Sequence, residues 1–242
     1  MASQPTSIPA DPKAMGPNIS TGTLDPLLPL WCLLLSLFVV LSGTGCGKDA
    51  LQRGEAPPSW TCDTRADEAM KREDYPESIL LHERFLERSP ENAFALYHLG
   101  YAYGRTGDHS MEAFYYEKAV GLGFKTEQIY FNMGMAYGEL GQTAKAISSF
   151  HKAVEANPRS ADNYFGLAMA YQGIEKAYEF AEEAFLKAIK IDPGFIDARL
   201  YLSVLYAETG QIQRAQDQIR KILDIDPNHR EARELLQKMG TE

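Results

Sequence analysis

Between Glu127 and Ser160 the chain reads EQIYFNMGMAYGELGQTAKAISSFHKAVEANPRS. Apolar residues fall at helical spacing in two runs, with Gly141 between them and Pro158 near the end. The pattern predicts two helices joined by a tight turn, and the segments on either side repeat it. Gly141 suits the left-handed position that ends a helix, and Pro158 cannot continue one.

The repetition has a fixed period. Pro90, Pro158, Pro193 and Pro227 are separated by 68, 35 and 34 residues, and Phe124 stands midway across the longest gap. Tyr103, Tyr137, Tyr171 and Tyr206 each lie 13 residues after one of these markers, and Gly107, Gly141 and Gly210 lie four after three of the tyrosines. Ala146, Phe150 and Ala153 are echoed by Ala181, Phe185 and Ala188. The repeats run Ser59–Asn92, Ala93–Thr126, Glu127–Ser160, Ala161–Phe195 and Ile196–His229, the fourth carrying one extra residue near Ile174–Ala177. Residues 230–242 read as a polar capping helix. Gly100 and Gly134 fall where two helices must approach closely, and Met133, Tyr137 and Phe150 are predicted core. Two departures stand out. The first repeat has Cys62, Arg65 and Ala69 where large apolar residues are expected, and Glu112 replaces the Ala of the second repeat, which predicts a register shift in that helix.

A period near 34 with a Gly-Tyr first helix, an Ala-Phe-Ala second helix and a closing Pro resembles the tetratricopeptide repeat. The resemblance covers residues 59–229. It implies an all-α fold, a right-handed superhelical solenoid of about five helix pairs plus the C-terminal capping helix. No repeat is stable alone, because each buries its apolar stripe only against its neighbours. In this family repeat positions 2, 5, 9, 12 and 13 line a concave groove on the first helices. Carried onto this sequence, position 5 gives Tyr97, Phe131, Phe165 and Leu200, and position 9 gives Tyr101, Met135, Met169 and Val204. Phe94, Gln128 and Glu139 join them. An apolar band of that length marks an interaction surface, and the implied partner is an extended or helical protein segment with hydrophobic anchors. The family's lysine-based capture of acidic tails is disfavoured, since Tyr97 and Phe131 stand where lysine is needed and Glu139, Asp162, Asp197 and Glu208 rim the groove.

The N-terminal region has a different character. Residues 1–26, rich in Pro, Ser, Thr and Gly, show no periodicity and are expected to be disordered. Leu27–Gly43 is 17 residues without a charge. Small residues and Cys46 follow. This resembles the lipobox of bacterial lipoproteins and assigns residues 27–46 as a signal peptide or membrane anchor, with Cys46 the lipidated residue. Gly43 departs from the Leu, Val or Ile of that motif, and Lys13 is the sole basic residue before the apolar run. An uncleaved single-pass anchor is the alternative. Residues 47–58, with Pro57 and Pro58, read as a linker. The expected location is the bacterial cell envelope, facing the periplasm, with membrane attachment through this N-terminus. The layout is also that of the repeat-containing pilotins, which help to assemble envelope secretins.

Composition narrows the chemistry. Net charge is −9, from 24 Lys and Arg against 33 Asp and Glu, which disfavours a nucleic-acid partner. Ser42–Asp49 imitates a phosphate-binding loop but lacks its first glycine and its hydroxyl, leaving a degenerate nucleotide-binding protein as a runner-up reading. A self-associating structural array is the other alternative. Cys32, Cys46 and Cys62 lack paired spacing, and His82, His98, His109, His151 and His229 are scattered, so neither metal nor cofactor is expected, each histidine reads as a surface or boundary residue, and an enzyme is not.

Overall fold

The computed structural model describes residues 62–174 and 177–240. The expectations for residues 1–26, the apolar run and Cys46 lie outside the described residues. Among those described, the chain folds into eleven helices and no strand. They pair as α1 (Thr64–Lys71) with α2 (Tyr75–Arg88), α3 (Ala93–Arg105) with α4 (His109–Gly121), and α5 (Glu127–Glu139) with α6 (Thr143–Ala156). Next come α7 (Ala161–Gln172) with α8 (Tyr178–Ile191) and α9 (Ile196–Glu208) with α10 (Ile212–Ile225), and α11 (Arg230–Met239) closes the stack. Each helix packs on its chain neighbours, and first helices of successive pairs also touch, α3 on α5 and α5 on α7. The result is an all-α helical solenoid. No helix among the described residues is long and apolar enough to cross a membrane.

Local chemistry sets the helix ends. Asn92, Asp108, Thr126 and Ser160 accept from the first-turn backbone of α3, α4, α5 and α7, satisfying donors that a helix leaves unpaired. Gly107, Gly141 and Gly210 take φ of 84°, 68° and 74° between the helices of their pairs, which only glycine adopts without strain. The first pair has no glycine at that place. Glu73, 34 residues before Gly107, is forced to φ 60°. The extra residue of the fourth repeat falls between its helices, since α8 starts 17 residues after α7 whereas α6 starts 16 after α5.

The core runs along the pair interfaces. The Phe150 ring is buried, and a Cβ placed on Gly134 or Gly166 would come within 2.7 or 2.4 Å of it. Phe150 therefore fills a notch shared by its own repeat and the next. Tyr116 fills the corresponding notch at Gly100, at 2.8 Å. Met133 and Tyr137 are buried as expected. The recurring tyrosines also tie each first helix to the preceding second helix: Tyr103 Oη donates to Glu83 at 2.7 Å, Tyr137 to Glu117, and Tyr206 to Glu182 at 3.1 Å. Asn163, wholly buried in α7, donates to Glu127 Oε1 at 2.9 Å and to the Ala153 carbonyl at 3.1 Å, bolting the third repeat to the fourth. Phe124, in place of the missing Pro, packs on Phe94 and Tyr97 with ring centres 5.9 and 5.1 Å away.

The register shift expected in the second repeat does not occur. Helix α4 starts 34 residues before α6, and Glu112 is simply buried in the alanine position. Gly104 makes room for it: a Cβ there would lie 2.4 Å from the Glu112 carboxyl.

Replacing Glu73 with glycine relieves the left-handed strain. Glu73→Gly is expected to stabilise the protein by about 1 kcal/mol in urea unfolding, whereas Gly141→Ala, at the same turn of the third repeat, is expected to destabilise it.

Candidate functional site

The residues assigned to the groove divide into two rows. Position 9, one turn after position 5 on each first helix, carries Tyr101, Met135, Met169 and Val204, all half-buried. Met135 and Met169 supply adaptable, polarizable contacts near the centre of the array. Phe94, Tyr97 and Phe165 are also half-buried, while Gln128 and Glu139 are exposed. Gln128 Nε2 donates to Asn132 Oδ1 at 3.0 Å, and Asn132 Nδ2 donates to Tyr116 Oη at 3.3 Å, linking α5 to α4.

Position 5 behaves differently. Phe131 and Leu200 are 9% and 7% exposed, which places them in the core rather than on a surface open to a partner. Phe131 meets Phe150 edge-on at 5.6 Å, and Leu200 packs among Ile219, Ile222 and Ala232 under α11. Tyr97 and Phe165 are drawn the same way, Tyr97 against Tyr116 at 5.7 Å and Phe165 against Phe195 at 5.1 Å. Burial pushes the Tyr97 hydroxyl up to about 12. The i, i+4 relation puts both rows on one helix face, but position 5 is the half that turns into the pair interface.

Charge on this side is acidic. Glu139, Asp162, Asp197 and Glu208 are exposed residues, though partial desolvation of the Asp162 carboxyl by its neighbours, with the charges of Asp192 and Glu127, raises it above its ordinary value. The Arg105 guanidinium lies 4.8 Å over the Tyr75 ring and donates to Tyr101 Oη at 3.3 Å. The largest exposed apolar side chains lie instead on or beside second helices, Phe180 at 59% and Leu80 at 47% among them. Single-sequence reading centred on the first helices passed over these.

Two clusters of ionisable groups are partly buried, around Glu112 and His82. Glu112 bonds His109 Nδ1 at 2.9 Å, and burial pushes its carboxyl up to about 7 against the lowering effect of that histidine. The second cluster corrects the reading of the histidines as scattered surface or boundary residues. Cys62, Asp67, His82 and His98 converge, each offering a donor atom within 4.8 Å of the others. Cys62 Sγ donates to Asp67 Oδ1 at 3.0 Å and lies 3.4 Å from His98 Nδ1, which itself is 2.9 Å from Asp67 Oδ1. Burial, then the bond to Asp67, pushes the Cys62 thiol well above its ordinary value. Burial opposes ionisation of Asp67, but hydrogen bonds from His98 and Cys62 outweigh it and hold that carboxyl below its ordinary value. His82 is fully buried, and burial lowers its imidazole below the ordinary value. These four residues come from the start and interior of the first repeat and from α3. No linear spacing announces them; the signal available in sequence is the polar Cys62 where a large apolar residue is expected.

Family models described as tetratricopeptide repeat match residues 64–123, 127–160 and 174–239. A crystal structure of MamA is 26% identical, spans 69% of this chain and 96% of that one, and superposes with a TM-score of 0.65. A structure of YrrB, described as a TPR protein with an unusual peptide-binding site, is 22% identical across 78% of this chain and 96% of its own, with a TM-score of 0.69. MamA (41-end) from Desulfovibrio magneticus RS-1 is 20% identical over 68% of this chain and 93% of its own, with a TM-score of 0.65. No curated protein sequence matches.

The buried Glu112 has a pH signature. Its folded carboxyl titrates above the ordinary value, so the folded state holds the proton more tightly, and stability present below about pH 4.5 is lost as pH rises through 7. In urea unfolding at pH 5 and pH 8, Glu112→Gln is expected to gain on the wild type by about 2 kcal/mol at the higher pH. An equal gap at both values contradicts the assignment.

Proposed function

The chain is a tetratricopeptide-repeat protein, and from that premise we propose that it is an interaction module which holds a segment of another protein along the inner row Tyr101, Met135, Met169 and Val204. The observation that carries this reading is that the row stays half-buried in all four successive repeats, whereas position 5 is lost to the core in two of them, at Phe131 and Leu200. A continuous apolar strip with adaptable methionines at its centre favours a partner with hydrophobic anchors. The acidic side chains Glu139, Asp162, Asp197 and Glu208 favour lysine or arginine beside those anchors and oppose an acidic tail. The role is scaffolding rather than catalysis.

The same proposal places the module at a membrane. The uncharged Leu27–Gly43 run and the lipobox-like approach to Cys46 support attachment through the N-terminus. Assistance in assembling an envelope complex, in the manner of a pilotin, is the role that this layout supports. Metabolic labelling with palmitate tests the tether: label is expected in the wild type and absent in Cys46→Ala.

Substitution separates the inner row from the rest. Met135→Glu with Met169→Glu is expected to abolish co-purification of the partner from cells, with helical circular dichroism unchanged. Phe180→Glu, on the second-helix side, is expected to leave it intact. Retained capture by the double variant overturns the groove reading.

A further inference from the structure

Helix α1 has eight residues where other first helices have twelve or thirteen, and among the described residues the apolar cluster of the first repeat is Ala66, Ala69 and Leu81. Beside that cluster stands a polar centre: Cys62 just before α1, Asp67 within it, His82 in α2 and His98 in α3. The donor set is one sulfur, one carboxylate oxygen and two imidazole nitrogens.

The His82 ring decides what this centre is. Its Nδ1 is 2.9 Å from the Ser78 carbonyl, which can only accept, so Nδ1 carries the proton. The opposite nitrogen, Nε2, then presents a lone pair. It is completely buried, has no hydrogen-bond partner, and faces Asp67 Oδ1 at 3.7 Å, beyond hydrogen-bond reach. A buried lone pair facing a carboxylate is unfavourable unless a cation lies between them. A histidine that fixes its tautomer on a backbone carbonyl while aiming the other nitrogen inward is the usual arrangement of a metal ligand.

Around an ion with bonds of about 2.0–2.3 Å, tetrahedral ligands stand about 3.3–3.7 Å apart. All four donor atoms lie within 4.8 Å of one another. Sγ to His98 Nδ1 is 3.4 Å and His82 Nε2 to Oδ1 is 3.7 Å, while the hydrogen-bonded pairs, Sγ to Oδ1 at 3.0 Å and His98 Nδ1 to Oδ1 at 2.9 Å, must open by a few tenths of an ångström as an ion replaces their protons. A nucleophilic cysteine–histidine–aspartate relay is excluded by the same geometry. Such a relay needs the thiol and the carboxylate on opposite ring nitrogens, and here both meet His98 Nδ1.

We propose that Cys62 Sγ, Asp67 Oδ1, His82 Nε2 and His98 Nδ1 bind one Zn²⁺ ion that staples α1 to α2 and α3. The mixed sulfur, nitrogen and oxygen set suits zinc, and four protein ligands make a closed structural site with no open position for chemistry. Binding releases the Cys62 thiol proton to solvent and shifts the His98 proton from Nδ1 to Nε2. Thiolate and carboxylate then balance the ion's charge, leaving a neutral centre suited to burial. The metal ties three helices together around a centre that is otherwise polar.

The test uses the full chain, stripped with a chelator and then exposed to Zn²⁺ or to Co²⁺ as a spectroscopic stand-in. Elemental analysis is expected to find one zinc per chain after desalting. Cobalt is expected to give the intense ligand-field bands of a tetrahedral site with a thiolate charge-transfer band. Cys62→Ser is expected to lose the charge-transfer band, and Cys62→Ser with His98→Ala to lose stoichiometric zinc while keeping the circular dichroism of the intact array. Cys32→Ser is expected to change neither. Zinc content that is substoichiometric in the wild type, or unaltered in the Cys62–His98 double variant, overturns the proposal.

Discussion

Phe150 occupies space that a side chain on Gly134 or Gly166 would need. The ring of one second helix thus enters a notch in its own first helix and in the next repeat's first helix, and that shared close packing fixes the distance between successive layers. Truncating such a ring costs about 3–5 kcal/mol. In a stack whose repeats are stable only against their neighbours, a loss at one interface is felt along the array. The tyrosine–glutamate bonds and the Asn163 bolt add direction to this contact: they set how far each pair turns before the next is laid down.

The same packing decides what remains for function. Because second-helix rings enter beside position 5, Phe131 is consumed by the core, and Leu200 is covered by α10 and α11. Position 9, one turn further along, is left half-exposed in every repeat from the second to the fifth. Core and binding strip are adjacent rows of the same helices. In the first repeat α1 is short, and His82, 34 residues before the Tyr116 ring, stands within a cluster of polar donors. Holding the first repeat by coordination ties α1 to α2 and α3.

Much of the fold was legible because the repeat restates its own rules. The Pro, Tyr and Gly markers put the starts of α3, α5, α7 and α9 at Ala93, Glu127, Ala161 and Ile196, where the helices begin. Gly100 and Gly134 were readable as close-approach sites for a steric reason that holds in any context. The site was less legible. Helical spacing places positions 5 and 9 on one face but does not say which half of the face turns inward; that depends on rings arriving from another helix, such as Phe150 at Phe131. Glu112 looked like a register fault because its compensation is Gly104, on the partner helix. The convergence of Cys62, Asp67, His82 and His98 was invisible for the same reason, since three segments far apart in sequence supply it.

Site-specific photo-crosslinking in cells tests the central claim most directly, with the photoreactive residue placed in turn at Met135, Met169 and Phe180. The inner-row positions are predicted to trap the same partner protein, and Phe180 to trap none of it. Crosslinks to that partner from Phe180 with silence at Met135 and Met169 would contradict the assignment of the inner row as the binding surface.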